Sequence, residues 1–106
     1  MTRLMLLALS LILSASLLAD DSISARRQQD LRNLLTQDCG SCHGLTMKGG
    51  LGPALLPSML RGKPAEYISA IILDGRPGTA MPAWRPLISP AEARWLASLI
   101  LQEEQQ

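Results

Sequence analysis

The chain has 106 residues, enough for one domain, with ten Lys and Arg against nine Asp and Glu. So even a balance provides no basic surface for nucleic-acid phosphates, and nucleic acid is excluded as a partner on that ground. There is no Phe, and only Tyr67, Trp84 and Trp95 supply rings, so a domain this short is expected to need a cross-link, a metal or a cofactor to hold it.

The first segment, residues 1–19, opens with Met1, Thr2 and Arg3 and runs apolar from Leu4 to Leu18, broken only by Ser10, Ser14 and Ser16. A basic start, a short apolar run and Ala19 ahead of the acidic Asp20 and Asp21 predict a secretory leader, with residues 20–106 as the mature domain. The run falls short of the roughly 20 residues of a membrane-spanning helix, which weighs against a retained anchor. Cleavage after Ala19 is expected, with Ser16 as the other option. Losing Arg3 leaves the mature domain formally neutral, a monomer with no stable membrane association.

Three helices come next. The first is predicted over residues 25–38, capped by Ser24, with Leu31, Leu34, Leu35 and Cys39 on one face and Arg26, Arg27, Asp30 and Arg32 solvating the rest. The second starts at Pro64, a residue tolerated in a first helical turn, and lines up Ile68, Ile71 and Ile72 before Asp74 and Gly75 end it. The third has the strongest local signal: Ser89 as cap, Pro90 at the first position and Glu92 reaching back. Its apolar face is Trp95, Leu96, Leu99 and Ile100.

Two long irregular segments separate these helices. Residues 44–63 hold Gly49, Gly50, Gly52, Pro53, Pro57 and Gly62; residues 75–87 hold Arg76-Pro77-Gly78-Thr79, a type II turn pattern, and then Met81-Pro82. Irregular segments of this length are uncommon in a compact domain unless functional. No β-strand pattern and no internal repeat is present.

The chemistry lies at Cys39-Gly40-Ser41-Cys42-His43. Cys-x-x-Cys-His is the haem c attachment pattern. Thiols three residues apart stand one helical turn apart on one face and can add to two vinyl groups of one porphyrin. The adjacent His43 then reaches the iron from the same side. The other readings are weaker. A redox Cys-x-x-Cys belongs beside βαβ structure, zinc wants four Cys or His ligands where this chain has three, and a disulfide within one helical turn is geometrically disfavoured.

The second axial ligand cannot be His, since His43 is the only one. Of Met47, Met59 and Met81, Met47 is too close in sequence to His43 to reach the other side of the iron. Met81, in a loop shaped by Pro and Gly and kept extended by Pro82, is the favoured ligand, with Met59 the alternative. A ligating imidazole donates its other N–H to an oxygen, and the backbone carbonyl at Gly52-Pro53 is the candidate; otherwise Pro53 only shapes the loop.

These pieces together resemble a class I monohaem cytochrome c, over residues 31–99. The matching segments are Cys39-Gly-Ser-Cys-His43, Gly52-Pro53-Ala54-Leu55, Tyr67-Ile68, Gly75, Met81-Pro82-Ala83-Trp84 and Leu87-Ile88-Ser89-Pro90 leading to Glu92 and Leu96. The resemblance implies an all-α cytochrome c fold, three to five helices wrapped around one covalent haem with the first and last helices crossing. It implies His43 and Met81 as axial ligands and the Pro53 carbonyl as partner of His43. One departure stands out: Leu99 occupies a place near the end of the last helix that is commonly aromatic, with Trp95 one turn earlier. Residues 72–85 are further similar to small cytochromes of denitrification gene clusters, beside the periplasmic nitrite reductase that carries haem c and haem d. That similarity implies a periplasmic electron carrier rather than an enzyme, serving the reductase by electron donation or by an oxidation step in haem d maturation. The alternatives are a general periplasmic carrier for another oxidoreductase, a small haem peroxidase or a haem sensor. Lys48, Arg61, Lys63, Arg76 and Arg85 all fall in the two irregular segments, which makes either an ordinary mixed surface or a basic rim for an acidic partner.

Overall fold

The computed structural model describes residues 22–102, so the expected leader lies outside the described residues. Those residues form helices and irregular segments, with no strand among them. The first helix, α1, spans Ala25–Leu34. Ser24 caps it by accepting the Arg27 backbone N–H on its Oγ at 3.1 Å, which satisfies one of the donors a helix start leaves open.

The helix does not stop at Asp38 as the sequence predicts. It widens into a π turn over Leu35–Cys39, where the Gly40 N–H reaches back to the Leu35 carbonyl, and continues as α2, Gly40–His43. A widened turn accommodates one extra residue and rotates the helix beyond it. Here it lies between the core-facing Leu31 and Leu35 and the Cys39–His43 motif.

Helix α3 spans Ala65–Asp74. Pro64 stands just ahead of it with extended backbone, ψ 152°, as its cap rather than its first residue. Helix α4 spans Pro90–Gln102 and opens with the reciprocal cap expected of Ser89 and Glu92. The Ser89 N–H donates to Glu92 Oε1 at 3.2 Å, and the Glu92 N–H donates to Ser89 Oγ at 3.1 Å.

The core is built mainly between α3 and α4, where Ile68, Ile72 and Leu73 meet Ala93, Leu96, Ala97, Leu99 and Ile100. Leu31 and Leu35 add the α1 side, and Met47 and Ile88 enter from the irregular segments. Helix α1 is joined to α4 by polar contacts as well. Arg27 Nε pairs with the Glu92 carboxylate, Arg27 Nη2 donates to the Leu87 carbonyl at 3.2 Å, and the Arg32 guanidinium lies 5.5 Å from the centre of the Trp95 ring. The meeting of first and last helices thus has a half-buried Trp95 under an arginine, while Leu99, one turn on, is buried in the core.

Candidate functional site

A helix that ends leaves carbonyls without intrahelical partners, and this fold uses them to anchor both irregular segments. After α2, the Gly49 N–H donates to the His43 carbonyl and the Gly52 N–H to the Cys42 carbonyl, each at 2.8 Å. After α3, the Trp84 N–H donates to the Ile72 carbonyl and the Arg85 N–H to the Leu73 carbonyl, each at 3.1 Å. The segments bearing Pro53 and Met81 are therefore tied back onto the helices that precede them.

The first tie places the His43 ring. Its Nδ1 lies 2.7 Å from the Pro53 carbonyl oxygen. A carbonyl can only accept, so Nδ1 is the donor, and in the neutral ring the lone pair is then on Nε2, the form in which imidazole binds a metal. The ring also lies against Gly52: a Cβ there would stand 2.9 Å from Cε1 and from Nδ1 and 3.3 Å from Nε2. Gly52 is thus a positioning residue that reasoning from the sequence overlooks, although a Gly directly before the partner Pro is a visible signal.

Cys39 and Cys42, both half-buried, form no disulfide and lie on the helix that ends at His43. Burial, followed by the Asp38 carboxylate, pushes the Cys39 thiol up to about 11. Redox Cys-x-x-Cys pairs work with depressed thiol pKa values, so this environment is the opposite of what a disulfide oxidoreductase needs.

The second tie places Met81. Gly75, with φ +68°, ends α3 in a conformation that suits glycine, and a Cβ there would come within 2.7 Å of the Met81 carbonyl oxygen. The Arg76 N–H donates to that same oxygen at 3.3 Å, and the Met81 N–H donates to Thr79 Oγ1 at 3.3 Å. The expected turn at residues 76–79 is present, closed by the Thr79 N–H on the Arg76 carbonyl at 3.1 Å with Gly78 at φ +78°. Met81 is half-buried against the core. Met47 is 1% exposed and belongs to the core, whereas Met59 is 63% exposed. The structure thus separates the three methionines into one core residue, one surface residue and one held in a braced loop.

The basic rim is narrower than its sequence suggests. Arg85 donates from Nε and Nη2 to Asp74 Oδ1, at 3.0 and 2.6 Å, so its charge is already paired. Lys63 lies over the Tyr67 ring, 5.3 Å from its centre. The Asp74–Arg85 pair is the other feature reasoning from the sequence misses; its signal is a pair of opposite charges at the two ends of one irregular segment.

Two thiols, an imidazole with its lone pair free and a thioether make a donor set suited to covalent haem. Leu45, Leu51 and Met59 are exposed in the segment after α2. An all-helical domain with this motif at a helix end is the architecture of a small haem-carrying electron-transfer protein. The chain belongs to the cytochrome c family: residues 26–100 match the family described as cytochrome C oxidase, cbb3-type, subunit III. It is similar to cytochrome c55X of Pseudomonas aeruginosa, 54% identical over 100 residues that cover 92% of this chain and 84% of the relative. Among solved structures it is similar to the c-type cytochrome NirC, with TM-score 0.74 and 56% identity over 76% of this chain and 94% of that one. It is also similar to part of the dihydro-heme d1 dehydrogenase NirN, solved in complex with DHE, with TM-score 0.64 and 33% identity over 71% of this chain and 16% of that one. The protein therefore carries haem c and is a small monohaem cytochrome of the kind found in denitrification clusters. No helix among the described residues is long and apolar enough to cross a membrane.

Proposed function

We propose that this chain is a monomeric periplasmic electron carrier, exported behind residues 1–19, with its iron held between His43 and Met81. Its redox partner in this reading is the periplasmic nitrite reductase that carries haem c and haem d. The service is either electron donation to that enzyme or an oxidation step in maturing its haem d. When bound, haem supplies a reversible one-electron couple. The chain supplies the rest: the Pro53 carbonyl orients His43, the braced loop presents Met81, and two protein ligands leave no open position for a substrate. That last point favours a carrier over a peroxidase or a sensor.

The observation that carries this reading is the pairing of the 2.7 Å His43–Pro53 contact with a Met81 whose backbone N–H and carbonyl are both held. Ligands fixed in this way change little between oxidation states, which suits outer-sphere transfer. The link to haem d rests on likeness to part of a dihydro-heme d1 dehydrogenase, because a dehydrogenase must pass on the electrons it removes. For docking, residues 44–63 and 75–87 carry five Lys and Arg and no Asp or Glu. With Arg85 paired and Lys63 on a ring, Lys48, Arg61 and Arg76 are the cations left to meet an acidic partner.

The test is to mix the reduced protein with oxidised nitrite reductase and follow electron transfer. The rate falls as salt rises and the screening length shortens to ~10 Å at 0.1 M. Replacing Lys48 and Arg76 with Gln slows it and flattens the salt dependence, since such charges act mainly on association. A rate no faster than that of an unrelated periplasmic cytochrome leaves only a general carrier. Normal haem d content in a deletion strain counts against the maturation role.

A further inference from the structure

Residues 75–84 form an arch that leaves the end of α3 and returns to it. One foot is Gly75, whose Cα lies where no side chain fits against the Met81 carbonyl. The other foot is Arg85, whose N–H is bonded to the Leu73 carbonyl. Across the two feet runs a single side-chain bridge, from Arg85 Nε and Nη2 to Asp74 Oδ1. Asp74 is the last residue of α3, where a carboxylate faces the partial negative charge of the helix end and is unfavourable by itself. A guanidinium at that point answers both the carboxylate and the helix end. Its backbone is already fixed, so less side-chain freedom is lost in making the pair than at an ordinary surface site.

We propose that the Asp74–Arg85 pair is the latch of the Met81 arch, and that it sets how readily an outside ligand reaches the iron. The proposal rests on the reading that Met81 is the second axial ligand. Asp74 and Arg85, bonded to each other, act through the arch and are positioning residues. The two side chains are 60% and 54% exposed, so the bridge is screened by salt and its global contribution is small. Its effect is instead local. The Trp84 and Arg85 N–H groups stay bonded to the Ile72 and Leu73 carbonyls, so losing the bridge removes one of several ties at that foot. Lifting of the arch becomes more frequent while α1, α3 and α4 stay packed, a partial opening of lower free energy than unfolding. In that opened form Met81 would be drawn away from the place where it would hold the iron, and a small outside nitrogen donor such as imidazole could bind there instead.

The experiment uses the intact ferric haem protein and imidazole as the outside ligand, read by loss of the sulfur-to-iron absorption band. Asp74→Asn and Arg85→Gln each raise the imidazole association constant roughly fivefold, the size of one well-placed surface pair. The double variant shows no further rise, since both changes break one interaction. The exchanged pair, Asp74→Arg with Arg85→Asp, recovers most of the wild-type value. High salt brings the wild type toward the single variants. Ser89→Ala, which weakens the whole fold at the α4 cap, leaves imidazole binding unchanged. Association constants equal across wild type and single variants overturn the latch, as does an equal rise in Ser89→Ala. A wild-type protein without the sulfur-to-iron band overturns the Met81 reading itself, and the latch with it.

Discussion

Gly52 and His43 are in such close contact that a single methyl group on the glycine would stand 2.9 Å from two atoms of the imidazole. The ring is pinned from one direction by this backbone and from another by the Pro53 carbonyl. The orientation of the ring is therefore a property of a short segment of main chain.

Gly52→Ala must displace either the ring or the segment. Forcing a methyl into filled space costs about 1–3 kcal/mol, and the variant should show a lower thermal midpoint together with an altered haem spectrum. Pro53→Ala keeps the carbonyl and should alter the spectrum much less. A Gly52→Ala protein with unchanged spectrum and midpoint would show that the ring does not depend on this contact.

The three methionines should respond differently to removal. Met81→Ala should lose the sulfur-to-iron band, lower the reduction potential and allow the reduced protein to bind carbon monoxide. Met59→Ala, at an exposed site, should do none of these. Met47→Ala should keep the band and lose about 2–5 kcal/mol of stability, the usual range for emptying a buried site. Absorption spectra and denaturant unfolding of the three variants check all of this, and a spectral change in Met59→Ala alone would move the ligand assignment there.

The α1–α4 junction predicts the acid limb of the stability curve. Burial alone would raise the Glu92 carboxyl, but hydrogen bonds from Arg27 and Ser89 outweigh it and hold it below its ordinary value. A carboxyl depressed in the folded state adds stability above its unfolded pKa and loses it as pH falls through the folded pKa. Glu92→Gln should therefore be less stable than wild type at neutral pH, by about 1 kcal/mol as for a lost cap. The two proteins should converge as the pH drops below the carboxylate range. Thermal midpoints at a series of pH values test this, and a difference that stays constant down to strong acid would refute it.

Local signals and long-range ones divide in this protein. The Ser89–Glu92 cap, the turn at Arg76 to Thr79 and the end of α3 at Gly75 are legible because each is decided within a few neighbouring residues. The thiol and imidazole cluster is legible for the same reason. The widened turn at Leu35–Cys39 is not, because nothing local demands it: Leu31 and Leu35 are buried in the core just before the Cys39–His43 motif, and the turn lies between the two. The start of α3 at Pro64 is misplaced by one position, since proline suits a cap nearly as well as a first turn. The fate of Arg85 is hidden too. Its sequence neighbours present it as a free cation, and only the return of the chain to α3 brings it to Asp74.

The bond between Arg27 and Glu92 joins residues 65 apart, and that separation bears on the order in which the molecule is assembled. Closing so long a loop is only modestly harder than closing a shorter one, but it waits for the last helix to be made. Until residues 90–102 arrive, α1 lacks its helical partner and the inner face around Leu31 stays open. In the closed fold Cys39 is half-buried, and burial pushes its thiol up to about 11, which lowers its reactivity. A thiol that the closed fold makes less reactive would be joined to its cofactor more readily before α4 has docked on α1.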